Sequence, residues 1–396
     1  MKHEYKLLWV FYVTCFSMTL FSALITPFFL IYFMDIGLTF FQIGILFSLS
    51  SLSAISFEIP TGVVADIFGR KTSVLIRFFL CGITSILVAF TNSFLLLCII
   101  FIFWGFAATF YSGAFESWII DYLEYKKQNK LIHSAFSRIE SFTNAGAIIA
   151  FIMAGFLIFI GLKWIWIIEG VGSIFIGLFL LLFSKEPYQK NKIKKFNLQK
   201  LLNQIFNTGK EAIKYSFSHN TLLYLIIASS LAGIGYGIII LGWQPFFKEL
   251  NIPIQFFGLI LACVSIVGIV EANLSKRFVK KLKNEKYALI GIRLINIIGT
   301  LTLALTISPI IAIISFFILD TESLEIPIFT TYFNKFTPSK IRASINSVLS
   351  MFTNIAAILA SLVFGLLADI FGLRFTFLIA LCFFVMAIPI YLRIKG

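Results

Sequence analysis

Twelve stretches of about twenty mostly apolar residues dominate the chain, and each is long enough to cross a bilayer as a helix. They fall at roughly 8–33, 41–65, 73–91, 94–122, 139–160 and 164–184, then 221–246, 255–275, 287–307, 309–333, 344–368 and 374–392. Apolar text of this length leaves few folds open, because hydrocarbon offers no partner to a free backbone N–H or C=O. Composition agrees: 59% of residues are hydrophobic, only 13% are charged, and mean hydropathy is +0.97. Soluble globular chains carry about 25% charged residues. A soluble enzyme, a disordered chain and a nucleic-acid binder built on surface charge are excluded. The N-terminal run has no small-residue cleavage site and is too long for a signal peptide, so it reads as the first span.

The net charge of +14 then describes sidedness. With both termini in the cytoplasm, 29 of the 32 Lys and Arg lie on the cytoplasmic side, and only Lys163, Lys248 and Arg374 lie opposite. Such a bias is the positive-inside signal, and it favours an even number of spans. The expected setting is a multi-pass position in a cell membrane with both termini cytoplasmic. Segment 185–220 carries Lys190, Lys192, Lys194, Lys195 and Lys200 among apolar residues at helical spacing. It reads as a cytoplasmic linker with a basic amphipathic helix on the inner leaflet. The expected division is an N-terminal six-helix bundle (1–184), the linker (185–220) and a C-terminal six-helix bundle (221–396). The five cysteines lie in apolar stretches without metal-ligand spacing, so neither disulfides nor zinc are expected.

The halves repeat. Ser141–Ile148 reads SFTNAGAI and Met351–Ile358 reads MFTNIAAI, and Gly155 and Gly365 share the same offset. Arg77 and Arg293 occupy corresponding places in spans three and nine. Parallel repeats flanking a midplane site are a transporter arrangement.

After span two comes Gly62-Val63-Val64-Ala65-Asp66-Ile67-Phe68-Gly69-Arg70-Lys71. This resembles the signature loop of the major facilitator superfamily, departing from it at Ile67, where a basic residue is usual. Phe57–Thr61, Ser112–Asp121 and Arg342-Ala343-Ser344 are similar to stretches of its bacterial members. The resemblance implies an all-α fold of twelve transmembrane helices in two pseudo-symmetric six-helix bundles, and a monomer. It also implies that Gly62, Asp66, Gly69, Arg70 and Lys71, with Asp121, form a cytoplasmic gate. Gly62 and Gly69 would allow close approach and a tight turn. Asp66 would face the start of span eleven, and Arg70 would pair with Asp121. The span-four arginine and the span-five Gly-Pro pair of drug antiporters are absent.

An ionised group at the bilayer centre costs about 2.5–3.5 kcal/mol and marks function by default. Span ten carries Asp320, Glu322 and Glu325 near its middle with no basic residue on the same helix. At least one is expected to hold a proton near neutral pH, the profile of a proton-coupling or cation-binding group. Glu325 and Glu116 are favoured as a pseudo-symmetric pair, with Asp320 and Glu322 as alternates. A bend at Pro327 that buries these groups structurally is the competing expectation. Glu58, Arg77, Glu140, Glu271 and Arg293 read as groups near the inner helix ends that snorkel or pair at the rim. In the superfamily, spans one, four, seven and ten line the cavity, which nominates Tyr111, Tyr236, Trp243 and Gln244; repeat partners Asn144 and Asn354 are added as candidates for bonds across the bundle.

The expected function is a secondary transporter working by alternating access, exporting lipophilic or cationic small molecules against protons; an importer of a nutrient such as a sugar or amino acid is the alternative. The partners would be a small-molecule substrate, protons and the bilayer, with no nucleic acid, cofactor or metal. Membrane enzymes lack support, since there is no HExxH, GxSxG or Walker loop and His3, His133 and His219 lie outside the spans. A sensor or channel fits the gate poorly.

Overall fold

The computed structural model describes residues 2–185, 210–211, 213–338 and 341–394, and among them the chain is helical without a strand. The linker helix expected within 185–220 falls mostly outside the described residues. In order, the helices are α1 (Lys2–Ala23), a short 3-10 turn (Thr26–Phe28), α2 (Phe29–Asp35), α3 (Phe40–Phe68), α4 (Arg70–Ala89), α5 (Phe94–Thr109), α6 (Ala114–Tyr125), α7 (Ile132–Leu157) and α8 (Leu162–Phe183). They continue as α9 (Asn220–Glu249), α10 (Phe256–Leu282), α11 (Glu285–Leu305), α12 (Pro309–Leu319), α13 (Glu322–Lys335) and α14 (Arg342–Leu392). Ten helical stretches among the described residues are long and apolar enough to span a membrane. The last holds two spans, since Gly372 inside α14 is non-helical, and span ten enters as the shorter pair α12 and α13.

Three spans that read as continuous in the sequence are interrupted. Span one turns at Thr26–Phe28, where Pro27 offers no N–H. Span four stops at Thr109 and restarts at Ala114 after Gly113, whose φ is +68°. Span ten stops at Leu319 and restarts at Glu322; the expected bend at Pro327 is not the break, because Pro327 lies inside α13. Glu116 and Glu325 both sit in the first turn after their breaks, where helix N–H groups favour negative charge.

The chain forms two compact units. The first comprises Met1–Leu38, Leu49–Lys194 and Pro253–Ser265, and the second Thr39–Ser48, Lys195–Ile252 and Ile266–Gly396. In the first, α1 packs on α7 and α8, and α4 on α5 and α8. Its core includes Phe11, Tyr12, Phe78, Phe115 and Trp118. In the second, α9 packs on α14, and α11 on α12 and α14, around Leu225, Leu289, Ile292, Phe333 and Tyr391. Large apolar side chains such as Phe156, Phe159 and Ile307 point outward, as a hydrocarbon solvent permits.

Close helix contact depends on missing side chains. A Cβ on Gly105 of α5 would collide with the Ser50 carbonyl of α3, and beside it Ser53 Oγ donates to the Ile102 carbonyl at 2.7 Å. Gly62, expected to serve a close approach, does not: among the described residues nothing lies within 4 Å of a Cβ built there. Gly105→Leu is therefore expected to destabilise the protein by about 1–3 kcal/mol, whereas Gly62→Ala gains about 0.5–1 kcal/mol of helix stability. Thermal unfolding in detergent measures both; equal midpoints for the two variants would refute the packing assignment.

Candidate solute and proton site

The interruption of span ten leaves backbone groups without helical partners, and α11 supplies them. Asn296, 1% exposed, donates from Nδ2 to the Leu319 carbonyl at 3.2 Å and to Thr321 Oγ1 at 3.0 Å. One turn earlier on the same face, Arg293 pairs with Glu325 Oε2. From α9, the Tyr236 hydroxyl donates to Asp320 Oδ1 at 2.8 Å. Glu271, on α10, interacts electrostatically with Asp320. A cavity of about 220 Å³ opens here within the second unit, lined by Tyr236, Arg293, Asn296, Glu322, Glu325 and Thr353 among others.

Arg293 corrects the sequence reading. It does not snorkel at a rim; it is 2% exposed and pairs with Glu325 of span ten. An ion pair removed from water persists only when geometry and neighbouring bonds repay desolvation. Only Glu325 of the nearby carboxylates is paired with the guanidinium among the described residues; Asp320 is bonded to Tyr236 and interacts with Glu322 and Glu271, so acid groups outnumber the arginine near the break. The repeat had already placed Arg293 opposite Arg77, and Asn296 follows it by three residues, which is the signal that could have found both.

Of the cavity candidates, Tyr236 reaches the cluster. Trp243 and Gln244 do not line open space: they are 2% and 4% exposed, and Trp243 stacks on Phe316 at 5.0 Å. Asn144 and Asn354, candidates for bonds across the bundle, are half-buried on α7 and α14. In the first unit, Tyr111 stacks on Phe115 at 4.8 Å, with the Arg77 guanidinium 5.4 Å above its ring. Glu116 is exposed, and Glu58 accepts from Ser112 Oγ at 3.3 Å.

The signature loop is built tightly. Gly69 takes φ +102° between α3 and α4. Arg70 pairs mainly with Asp66, at 2.7 Å, and only marginally with Asp121, at 4.0 Å. Lys71 Nζ donates to the carbonyls of Leu181 and Ser184 at the end of α8.

Interrupted helices that hold charged groups inside an apolar bundle define a membrane transporter. The profile of the Major Facilitator Superfamily matches residues 10–321, and the chain belongs to that superfamily; it is a secondary transporter. It is 26% identical to the uncharacterized MFS-type transporter YxaM of Bacillus subtilis (strain 168), over 93% of this chain and 91% of that one. It is 25% identical to an uncharacterized MFS-type transporter of Methanocaldococcus jannaschii, over 98% of each chain. Its fold is similar to the crystal structure of the nucleoside transporter NupG, with a TM-score of 0.79 at 17% identity over 98% of each chain.

Removing one member of a buried pair strands the other. Arg293→Met is expected to destabilise by about 3–5 kcal/mol, and the double variant Arg293→Met/Glu325→Gln to recover most of the loss. A double-mutant cycle on thermal unfolding checks this; additive losses would show that the pair is not coupled.

Proposed function

We propose that this chain is a proton-coupled exporter of lipophilic, cationic small molecules, and that Glu325 is the group where proton and solute compete. The observation that carries the reading is the buried Arg293–Glu325 pair at the break of span ten, with Asp320 and Glu322 interacting beside it. A proton on Glu325 releases Arg293 from its partner. A cationic solute among Asp320, Glu322 and Glu325 favours the ionised state instead. Proton and cation then exclude each other at one site, which is the requirement for antiport. Tyr236 holds Asp320 in place, and Asn296 keeps the break rigid enough to present the carboxylates. Glu116 takes the corresponding place in the other repeat.

The rest of the reading follows from charge and family. The basic excess supports cytoplasmic termini, and the resemblance to bacterial members of the superfamily supports a bacterial inner membrane. Halves 1–184 and 221–396 alternate about the site, joined by the segment between them. The loop from Gly62 to Lys71, with Asp121, gates the cytoplasmic side, and the working unit is a monomer. A second reading, uptake of a polar nutrient with protons, is favoured by the hydroxyl and amide groups of Ser229, Asn296, Thr321, Thr330 and Thr353 along the same cavity. The likeness to a nucleoside transporter points the same way.

Proteoliposomes holding a pH dye separate the two. Lipophilic cations, sugars, amino acids and nucleosides are screened for solute-dependent proton flux. Export coupling predicts flux opposite to a lipophilic cation, reduced at least about tenfold in Glu325→Gln, the effect of losing roughly 1.4 kcal/mol of coupling. Flux alongside a sugar, amino acid or nucleoside establishes the importer, and flux unchanged in Glu325→Gln removes the assignment to span ten.

A further inference from the structure

The signature loop has a second copy that no repeat of the two halves accounts for. Gly62–Lys71 reads GVVADIFGRK and Gly365–Arg374 reads GLLADIFGLR, identical at six of ten positions, including Ala-Asp-Ile-Phe-Gly. The first ends span two and the second ends span eleven. These spans are not equivalent in the six-helix repeat, where Gly365 corresponds to Gly155.

The two copies also share a conformation. Gly69 has φ +102°, ψ +151°, and Gly372 has φ +80°, ψ +169°. Only glycine occupies this region without strain. In each copy one helix ends and the next begins with no loop between them. The last basic residue closes the carbonyl end of a neighbouring helix both times: Lys71 bonds Leu181 and Ser184 at the end of α8, and Arg374 bonds Ala304 and Thr306, at 3.0 and 2.6 Å, at the end of α11.

The copies differ in what their Gly and Asp hold. The second copy is docked. Asp369 accepts from the backbone N–H of Phe40 at 3.0 Å and of Phe41 at 2.8 Å, one bond to each carboxylate oxygen. These are the first amides of α3, and a carboxylate there also meets the positive end of the helix. A Cβ on Gly365 would lie 2.6 Å from the Phe40 carbonyl, and one on Gly44 would collide with the Ser361 carbonyl. In the first copy nothing among the described residues lies within 4 Å of a Cβ built on Gly62, and Asp66, about half exposed, pairs with Arg70 at 2.7 Å. One substitution bears on the difference between the two aspartates. The position of Arg70 is Leu373 in the second copy, so Asp369 has no i+4 arginine and stays available to span two.

We propose that Gly365–Arg374 is a second gate element, and that Asp369 is the latch holding the start of span two against span eleven. In the orientation proposed above, it closes the outer face. Span two thus carries one copy of the motif at its cytoplasmic end and is gripped by the other copy at its opposite end. Outward opening requires the Phe40 and Phe41 amides to leave Asp369.

The test is cysteine accessibility of Ser361→Cys in the full chain with its five native cysteines replaced, in detergent, where a hydrophilic maleimide reaches both faces. The readout needs neither a substrate nor a known orientation, so its failure is distinguishable from failure of the proposed function. Ser361 is buried beside Gly44 and reacts when that end opens. Asp369→Asn, which keeps the shape but loses the charge, is expected to raise the labelling rate about tenfold, the weight of one charge-assisted hydrogen bond. Leu373→Arg, which copies the first motif, is expected to do the same by drawing Asp369 into an i,i+4 pair. In the Asp369→Asn background, Leu373→Arg then adds nothing. Rates within twofold of the parent for both variants, in protein that elutes as a single folded species, would overturn the latch. So would an equal effect of Leu373→Arg with and without Asp369.

Discussion

Hydrocarbon contains nothing that can hydrogen-bond a peptide group, and this constraint governs where the described spans can break. A helix may stop inside the membrane only where protein takes over the lost partners. At the break of span ten the Asn296 amide reaches both Leu319 and Thr321. At the second signature copy, helices meet through a single glycine, and Arg374 covers the carbonyl end of α11. The polar groups of the bundle therefore collect at these joints, and the charged cavity lies at one of them.

The same solvent explains why charge is so informative here. In water, an arginine beside a glutamate contributes little. Arg293, almost fully buried, is affordable only because Glu325 is its partner. That dependence makes the pair conditional, since neutralising the carboxylate would leave the guanidinium buried without its partner. A strong but conditional interaction is what a coupling site requires.

Much of this was legible in the text of the chain, and the limits were physical. Apolar length marked the spans, and Gly62–Arg70 marked the superfamily. Span ten's carboxylates stood out because charge there is rare. The break at Asp320–Thr321 did not stand out, because the residue that sustains it, Asn296, comes from another helix, whereas Pro327 advertised a break that α13 absorbs. The Arg293–Glu325 pair crosses 32 residues of sequence, beyond the reach of spacing rules. Trp243 and Gln244 were misplaced because α9 is apolar all round and offers no stripe from which to read its facing side. The second Ala-Asp-Ile-Phe-Gly was visible as letters, yet its importance emerges only with Phe40 and Phe41 beside it.

The bonds of Lys71 and Arg374 bear on leverage. A glycine between two helices is ordinarily a free pivot. Here the helix beyond each glycine is tied, one residue past the first position, to the carbonyl end of a third helix. Such a joint is braced on one side, so a load applied at the aspartate is passed to α8 or α11 and is not spent in local bending. α4 with α8, and the end of α14 with α11, behave as struts. Each joint is thereby held as a truss of three helices, α3 and α4 on α8 in one case and the two parts of α14 on α11 in the other.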